Sequence, residues 1–340
     1  MPRPVAPLLL PPALRPGDTV AVVSPACPAA ARLPAEVGRG LAALRALGFR
    51  TEAMPHALGS RRWTSGTVEQ RLHDLHAAFA DPAVRGVLYT IGGDHSAQLL
   101  PGLDLDLIAA NPKVLCGYSD ATVLLSAVHA RTGLVTFYGP ALIPQFGELP
   151  APYPETVEHF LRVAGRAEPA GPCPVFPYQV VDLDFARRER EQRPRDRSAA
   201  PPRTVLVPGT AEGPVLAACL PSLRHLVGTA WQPDFRGRLL FLEPSEPPYS
   251  PATADADLWH LSNAGLLDEV AGVVFGRPLG WSEDDRHAFH EAALDCLARL
   301  GVPVLADLEF GHTNPILTLP NGVAARLSGT AVTLLGPAVA

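Results

Sequence analysis

Three side chains lie far apart in this sequence, and their types and settings suit joint chemistry: a serine, a glutamate and a histidine. Ser119 falls in Gly117-Tyr118-Ser119-Asp120-Ala121-Thr122, after the apolar run Val114-Leu115-Cys116 and before helix-spaced Val123, Leu124, Ala127 and Val128. Gly117 permits a sharp bend, so the pattern predicts a strand that delivers a serine directly onto a helix start. A hydroxyl there sits beside unpaired helix N–H groups, which stabilise an oxyanion forming next to it. Glu243 ends the apolar run Leu239-Leu240-Phe241-Leu242, where a carboxylate is costly unless it is paired. His312 sits in a tight loop, Phe310-Gly311-His312-Thr313-Asn314-Pro315. Hydroxyl, base and orienting carboxylate are the parts that acyl transfer needs. Each residue alone also has an ordinary explanation. Serine and aspartate are common helix N-caps, a strand-end glutamate is usually a surface group, and a loop histidine is usually just polar.

The elements that must position these residues read as alternating strands and helices. From Asp18 the order is a strand (19–23), a Ser-Pro-Ala loop, a helix (about 34–47) and a short strand (49–53). A helix (67–80), a strand (84–91), the Gly92-Gly93 turn, a helix-like stretch to Ala110 and the strand before Ser119 follow. This is the grammar of a parallel sheet covered on both faces, whose sites lie at the carboxyl ends of the strands. The loops 24–28, 92–96 and 117–120 therefore converge on one edge. Residues 1–145 are expected to form a Rossmann-like or flavodoxin-like α/β domain carrying the nucleophile. Residues 146–203 are proline-rich and read as a crossover with a mobile loop, and the run from Arg187 to Arg197, interleaved with Glu189, Glu191 and Asp196, reads as solvated. Residues 204–340 read as a smaller second α/β domain with a strand-rich end, so that the site forms between the two.

Composition narrows the classes. The chain has 340 residues, 47% hydrophobic and 18% charged, with a net charge of −6, which offers no general attraction to nucleic acid or anionic membrane. Five widely spaced cysteines without a C-x-x-C pair favour a reducing cytoplasm. The apolar segment 5–14 is broken by Pro7, Pro11 and Pro12 and reads as a poor secretory signal.

Five segments, in order, resemble the serine LD-carboxypeptidase family, and within it the branch of microcin C self-immunity carboxypeptidases. They are Thr90-Ile91-Gly92-Gly93-Asp94-His95-Ser96, Gly117-Tyr118-Ser119-Asp120-Ala121-Thr122, Thr136-Phe137-Tyr138-Gly139-Pro140-Ala141-Leu142, Leu240-Phe241-Leu242-Glu243 and Phe310-Gly311-His312. The resemblance implies a Ser-Glu-His triad: Ser119 as nucleophile, His312 as general base and then acid, Glu243 orienting the imidazole. It also implies an oxyanion hole from the backbone N–H groups of Gly93 and Asp120, and a homodimer. Substrate contacts at Gly92, Asp94 and His95, and no metal or other cofactor, are expected beside it. The substrate it implies is a small peptide or peptide-nucleotide conjugate, with a murein tetrapeptide losing a terminal D-alanine as the alternative.

The chain departs from that family at Ala217-Ala218-Cys219, where members often carry Gly-Gly-Asn, at Asp94-His95, and at Pro244 after Glu243. Three rival readings remain. A metal hydrolase would use His73/His76 or His287/His290, though neither pair has the H-E-x-x-H pattern. Cys116 offers another nucleophile but falls in the apolar strand. Two α/β domains facing a cleft can also bind a small ligand without chemistry.

Overall fold

The first sheet is assembled from five parallel strands. In the computed structural model, which describes residues 7–180, 184–191 and 193–340, β1 (Thr19–Val23) leads through α1 (Ala29–Arg32) and α2 (Pro34–Ala46) to β2 (Arg50–Ala53). The helix α3 (Val68–Ala80), β3 (Val84–Tyr89), α4 (Leu105–Ala110), β4 (Val114–Gly117), α5 (Ala121–Thr132) and β5 (Phe137–Tyr138) follow. The strand order is β2-β1-β3-β4-β5, with neighbours parallel. This is the doubly wound, flavodoxin-like order, in which the carboxyl ends of β1 and β3 flank a crevice. β1 and β4 are buried along their whole length, which is why they read as continuous apolar runs rather than alternating ones. A Thr67/Gln70 capping box starts α3, and Gly133 at φ 76° ends α5.

The rest of the chain builds a mixed sheet. Its elements are α6 (Pro154–Ala164), β6 (Gly171–Pro172), β7 (Tyr178–Val180), α7 (Phe185–Glu191), β8 (Arg197–Ala199), β9 (Thr204–Val207), β10 (Thr210–Cys219), α8 (Leu220–Leu223) and β11 (Leu239–Glu243). After these come α9 (Pro251–Asn263), β12 (Gly272–Gly276), α10 (Glu283–Leu297), β13 (Val304–Leu308), β14 (Leu319–Pro320), β15 (Ala324–Ser328) and β16 (Ala331–Leu334). Eight strands are ordered β6-β16-β15-β10-β11-β12-β13-β9, with β10 to β13 parallel at the centre and antiparallel strands outside. No helix among the described residues is long and apolar enough to cross a membrane, and all five cysteines are free thiols.

Four sequence expectations change. The 92–110 stretch holds a 3₁₀ turn (Ser96–Gly102) and only a six-residue α4, with Pro101 inside the turn removing a helix donor. The 146–203 crossover contains the amphipathic α6, burying Thr156, His159, Phe160 and Val163, and also β6, a strand of the second sheet. β14 does not stay with the second sheet; it pairs antiparallel with β5 and stitches the two units together. The arginine run is not solvated throughout. Arg188 and Arg195 are buried, with Arg188 Nε 3.4 Å from Glu36 Oε1 and Arg195 Nε donating to Glu148 Oε2 at 2.8 Å. Glu189 accepts from the first amides of α2, Ala35 and Glu36. The run thus alternates between a charged face turned to solvent and one docked on two buried carboxylates, Glu36 of the first unit and Glu148 of the crossover. Gln192 of that run, and Val5 and Ala6 of the apolar N-terminal segment, lie outside the described residues.

Candidate active site

Ser119 follows β4 at φ +62°, in the left-handed region where non-glycine residues are strained. The bend turns the residue off the sheet edge just before α5. The ordinary explanation, a helix cap, does not hold locally, since Asp120 occupies the N-cap without a side-chain capping bond. Asp120 instead uses Oδ2 to accept from the amides of His95 at 3.1 Å and Ser96 at 2.9 Å, which ties the 92–96 loop to the serine turn. Burial pushes its carboxyl pKa up.

The loops approach so closely that position 92 admits only glycine: a Cβ there would lie 2.7 Å from the Ser119 Cβ and 3.2 Å from the Asp120 amide nitrogen. The amides of Gly93 and Asp120 make no hydrogen bond among the described residues. Two unpaired donors therefore lie on the serine turn and on the loop tied to it. Arg71 braces the same edge, its Nη1 donating to Pro25 O at 2.6 Å and His95 O at 3.3 Å. Asp94 is exposed, and His95 stacks under the exposed Trp63 ring at 6.0 Å.

The second unit supplies Glu243 at the end of β11 and His312 after β13. Glu243 is fully buried, and its need for partners is met from both units. Tyr138 Oη donates to Oε1 at 2.6 Å, while Oε2 accepts from His312 Nδ1 at 2.8 Å and the His312 amide at 3.3 Å. Gly311, at φ +90°, is required here because a Cβ would fall 2.4 Å from the Glu243 carboxyl carbon. Tyr138 Oη also accepts from the Ser119 amide at 3.0 Å. One phenol thereby links the serine turn on the first sheet to the glutamate on the second. The Tyr118 ring, next to Ser119 in sequence, packs edge-on against the His312 ring at 5.1 Å. Cys219, paired in register with Glu243, donates its amide to Thr122 Oγ1 at 2.8 Å, and Asn321 Nδ2 donates to Thr136 Oγ1 at 3.1 Å, so the contact between units is hydrogen-bonded beside the site.

The remaining imidazole nitrogen, Nε2 of His312, bonds to Glu246 Oε2 on the loop after β11. Burial alone lowers the imidazole pKa, but Glu243 and Glu246 outweigh it and hold it up at about 10. For Glu246, burial raises the carboxyl pKa, and the imidazolium overrides this and draws it down to about 2. The pair is therefore an ion pair at neutral pH.

Sequence reasoning assigned roles to Ser119, Glu243, His312, Gly93 and Asp120, and the fold gathers all five. It did not single out Tyr138, Tyr118, Arg71 or Glu246. Tyr138 stands inside one of the resembling segments, a signal that it has work to do; Glu246 carries none. The rival sites do not assemble. His76 Nε2 accepts from the Asp104 amide, His290 faces Asp307, and the sole grouping of three potential metal-ligating side chains among the described residues is Cys219, Glu243 and His312. Burial pushes the Cys116 thiol far up, and its sulfur donates to Pro140 O.

Comparison with known proteins agrees in both halves. The LD-carboxypeptidase N-terminal domain family matches residues 20–139, and the LD-carboxypeptidase C-terminal domain family matches residues 212–327. The chain is 33% identical to the microcin C7 self-immunity protein MccF of Escherichia coli, over 93% of this chain and 92% of that one. It is 31% identical to a probable murein peptide carboxypeptidase of Bacillus subtilis, over 94% and 91%. The solved structure of MccF in complex with aspartyl sulfamoyl adenosine superposes with a TM-score of 0.90 at 30% identity, covering 98% of this chain and all of that one.

Proposed function

The chain belongs to the LD-carboxypeptidase family, whose members are serine peptidases, and we propose that it hydrolyses an amide near the carboxyl end of a small peptide or of a peptide- or aminoacyl-nucleotide conjugate, the conjugate being favoured, through Ser119, His312 and Glu243. The observation that carries this reading is the Tyr138 hydroxyl, which joins the Ser119 amide to the carboxylate that orients His312. Ser119 Oγ attacks the scissile carbonyl as its proton passes to His312 Nε2, and the resulting oxyanion takes hydrogen bonds from the Gly93 and Asp120 amides. Collapse breaks the C–N bond, with the Nε2 proton going to the leaving nitrogen. Water, deprotonated by the same nitrogen, then attacks the ester, and as the C–Oγ bond breaks the Nε2 proton returns to Ser119 Oγ, releasing the acid and restoring the serine hydroxyl. Glu243 keeps Nδ1 protonated and stabilises the imidazolium throughout.

The conjugate reading is supported by the nucleoside-bearing ligand of the similar MccF structure. It is also supported by a cavity of about 460 Å³ lined by Cys27, Pro28, Arg32, Leu33, Phe185 and Glu189. That cavity adjoins the Gly93 turn, since a Cβ at Gly93 would lie 2.8 Å from Cys27. The similarity to a murein peptide carboxypeptidase favours a second reading, release of a terminal D-alanine from a murein tetrapeptide. We propose that the enzyme works in the cytoplasm, where its five free thiols stay reduced, and, on the family resemblance alone, as a homodimer.

Mass-spectrometric product analysis with an aminoacyl-adenylate conjugate beside a murein tetrapeptide separates the two substrates. A serine-directed phosphonate should label the wild type and not Ser119→Ala, and Ser119→Ala or His312→Ala should each cut turnover by about 10⁴ or more. Near wild-type turnover in either variant would overturn the mechanism.

A further inference from the structure

The base in the mechanism above must offer Nε2 to Ser119, yet in the free protein that nitrogen is held by Glu246. Resting on the hydrolase reading, we infer that Glu246 is a specificity-determining residue that receives a free α-ammonium group of the substrate's acyl residue, and that this exchange of partners releases His312 to act.

The electrostatic setting is one-sided. The charges acting on His312 are the two carboxylates Glu243 and Glu246, and the charge acting on Glu246 is His312 itself. The guanidinium acting on Tyr118 is that of Arg195, which is bound to Glu148. A substrate carboxylate entering beside the scissile bond would meet the two carboxylates that surround His312. An ammonium there would find one ready to accept it. Position agrees with charge, because a carbonyl carbon in reach of both Ser119 and Nε2 has its α-nitrogen only two bonds away, against the group now on Nε2.

Glu246 is free to make the exchange. Its side chain is 43% exposed while that of His312 is 4%, and it sits on the loop between β11 and α9 rather than in a strand. Trading imidazolium for ammonium leaves the carboxylate paired, so its partly buried charge is never abandoned. The Nε2 proton, no longer held by Glu246, passes to water, and neutral His312 is left facing Ser119. An acylated α-nitrogen is uncharged and offers Glu246 nothing to trade for. Among the conjugates of the proposed reading, the selected ones are therefore aminoacyl-nucleotides with a free α-amine, in preference to those whose acyl residue is inside a peptide.

The test uses aminoacyl sulfamoyl adenosine with its α-amine free or acetylated. Binding is measured by calorimetry in Ser119→Ala and in Ser119→Ala/Glu246→Gln, and turnover is measured in wild type and Glu246→Gln. We expect the free amine to be preferred at least tenfold in Kd and in kcat/KM, and the preference to fall to within about threefold when Glu246 is neutral. Glu246→Asp, which keeps the charge, should retain part of it. An equal preference with and without the Glu246 charge overturns the inference, as does absence of any preference in the parent proteins. The binding arm needs no turnover, so a wild type that binds with this preference yet hydrolyses neither compound would refute the hydrolase reading alone.

Discussion

Glu246→Gln should shift the pH dependence of the enzyme towards acid, and the size of the shift follows from the ion pair. His312 is faced by Glu243 from β11, by Glu246 from the loop after it, by the Tyr118 ring from the β4 turn and, through Glu243, by Cys219 from β10. With its pKa at about 10, His312 is neutral in only about one molecule in 10³ at pH 7. General-base chemistry needs the neutral form, so kcat/KM for a substrate that cannot displace Glu246, such as an N-acetylated conjugate, should rise about tenfold per pH unit from 7 towards 10. The direction follows from the sign: a base whose pKa is raised is switched off below that pKa. Removing the Glu246 charge takes away one of the two carboxylates holding the proton. The acidic limb should then move towards the ordinary histidine range, and kcat/KM at pH 7 should gain up to a ceiling of about 10³. The assay is kcat/KM from pH 5 to 10 in constant-ionic-strength buffers for both proteins, with Glu246→Asp as the charge-keeping control. Limbs that coincide in wild type and Glu246→Gln, or a limb that moves towards alkali, would refute the reasoning.

Three further outcomes follow from buried groups. Tyr138→Phe removes the partner of both Glu243 Oε1 and the Ser119 amide, and should lower kcat by about 10 to 10² and stability by about 1–3 kcal/mol; unchanged kinetics together with unchanged denaturant midpoints would remove Tyr138 from the site. Arg195→Ala leaves the fully buried Glu148 without its closest cation and should cost about 3–5 kcal/mol in chemical denaturation, whereas a loss below about 1 kcal/mol would mean the arginine segment is not docked as described. Glu36 has its carboxyl pKa raised to about 7, by burial above all, so the folded state holds a proton that the unfolded state releases near 4.5. Its contribution is complete below 4.5 and is lost as pH rises through 7, about 3 kcal/mol in all, and Tm of the wild type should therefore fall relative to Glu36→Gln between pH 5 and 8; parallel Tm curves would contradict this.

Much of the fold was legible because its signals are local. The buried runs at 19–23, 84–89, 114–117 and 239–243 read directly as strands, and the helices between them carried caps or closing glycines near their ends. The crossover was misread for the converse reason. Proline density hid the period of α6, although Pro154 sits at a helix start where proline is tolerated. The two-residue strands β6, β5 and β14 are too short to show any period at all.

By itself the sequence determined the α/β alternation, the bend that exposes Ser119, and the isolated polar residues Glu243 and His312 inside apolar surroundings, because backbone geometry and burial cost act over a few residues. Only the tertiary structure decided what those residues touch. It placed β14 beside β5, put one phenol between Ser119 and Glu243, docked Arg188 and Arg195 on Glu36 and Glu148, and set Glu246 on the imidazole nitrogen that faces the chemistry. Most of these contacts join residues tens to more than a hundred positions apart. Their energies depend on two folded surfaces meeting, and nothing in the local pattern of either segment encodes which charged group will be opposite.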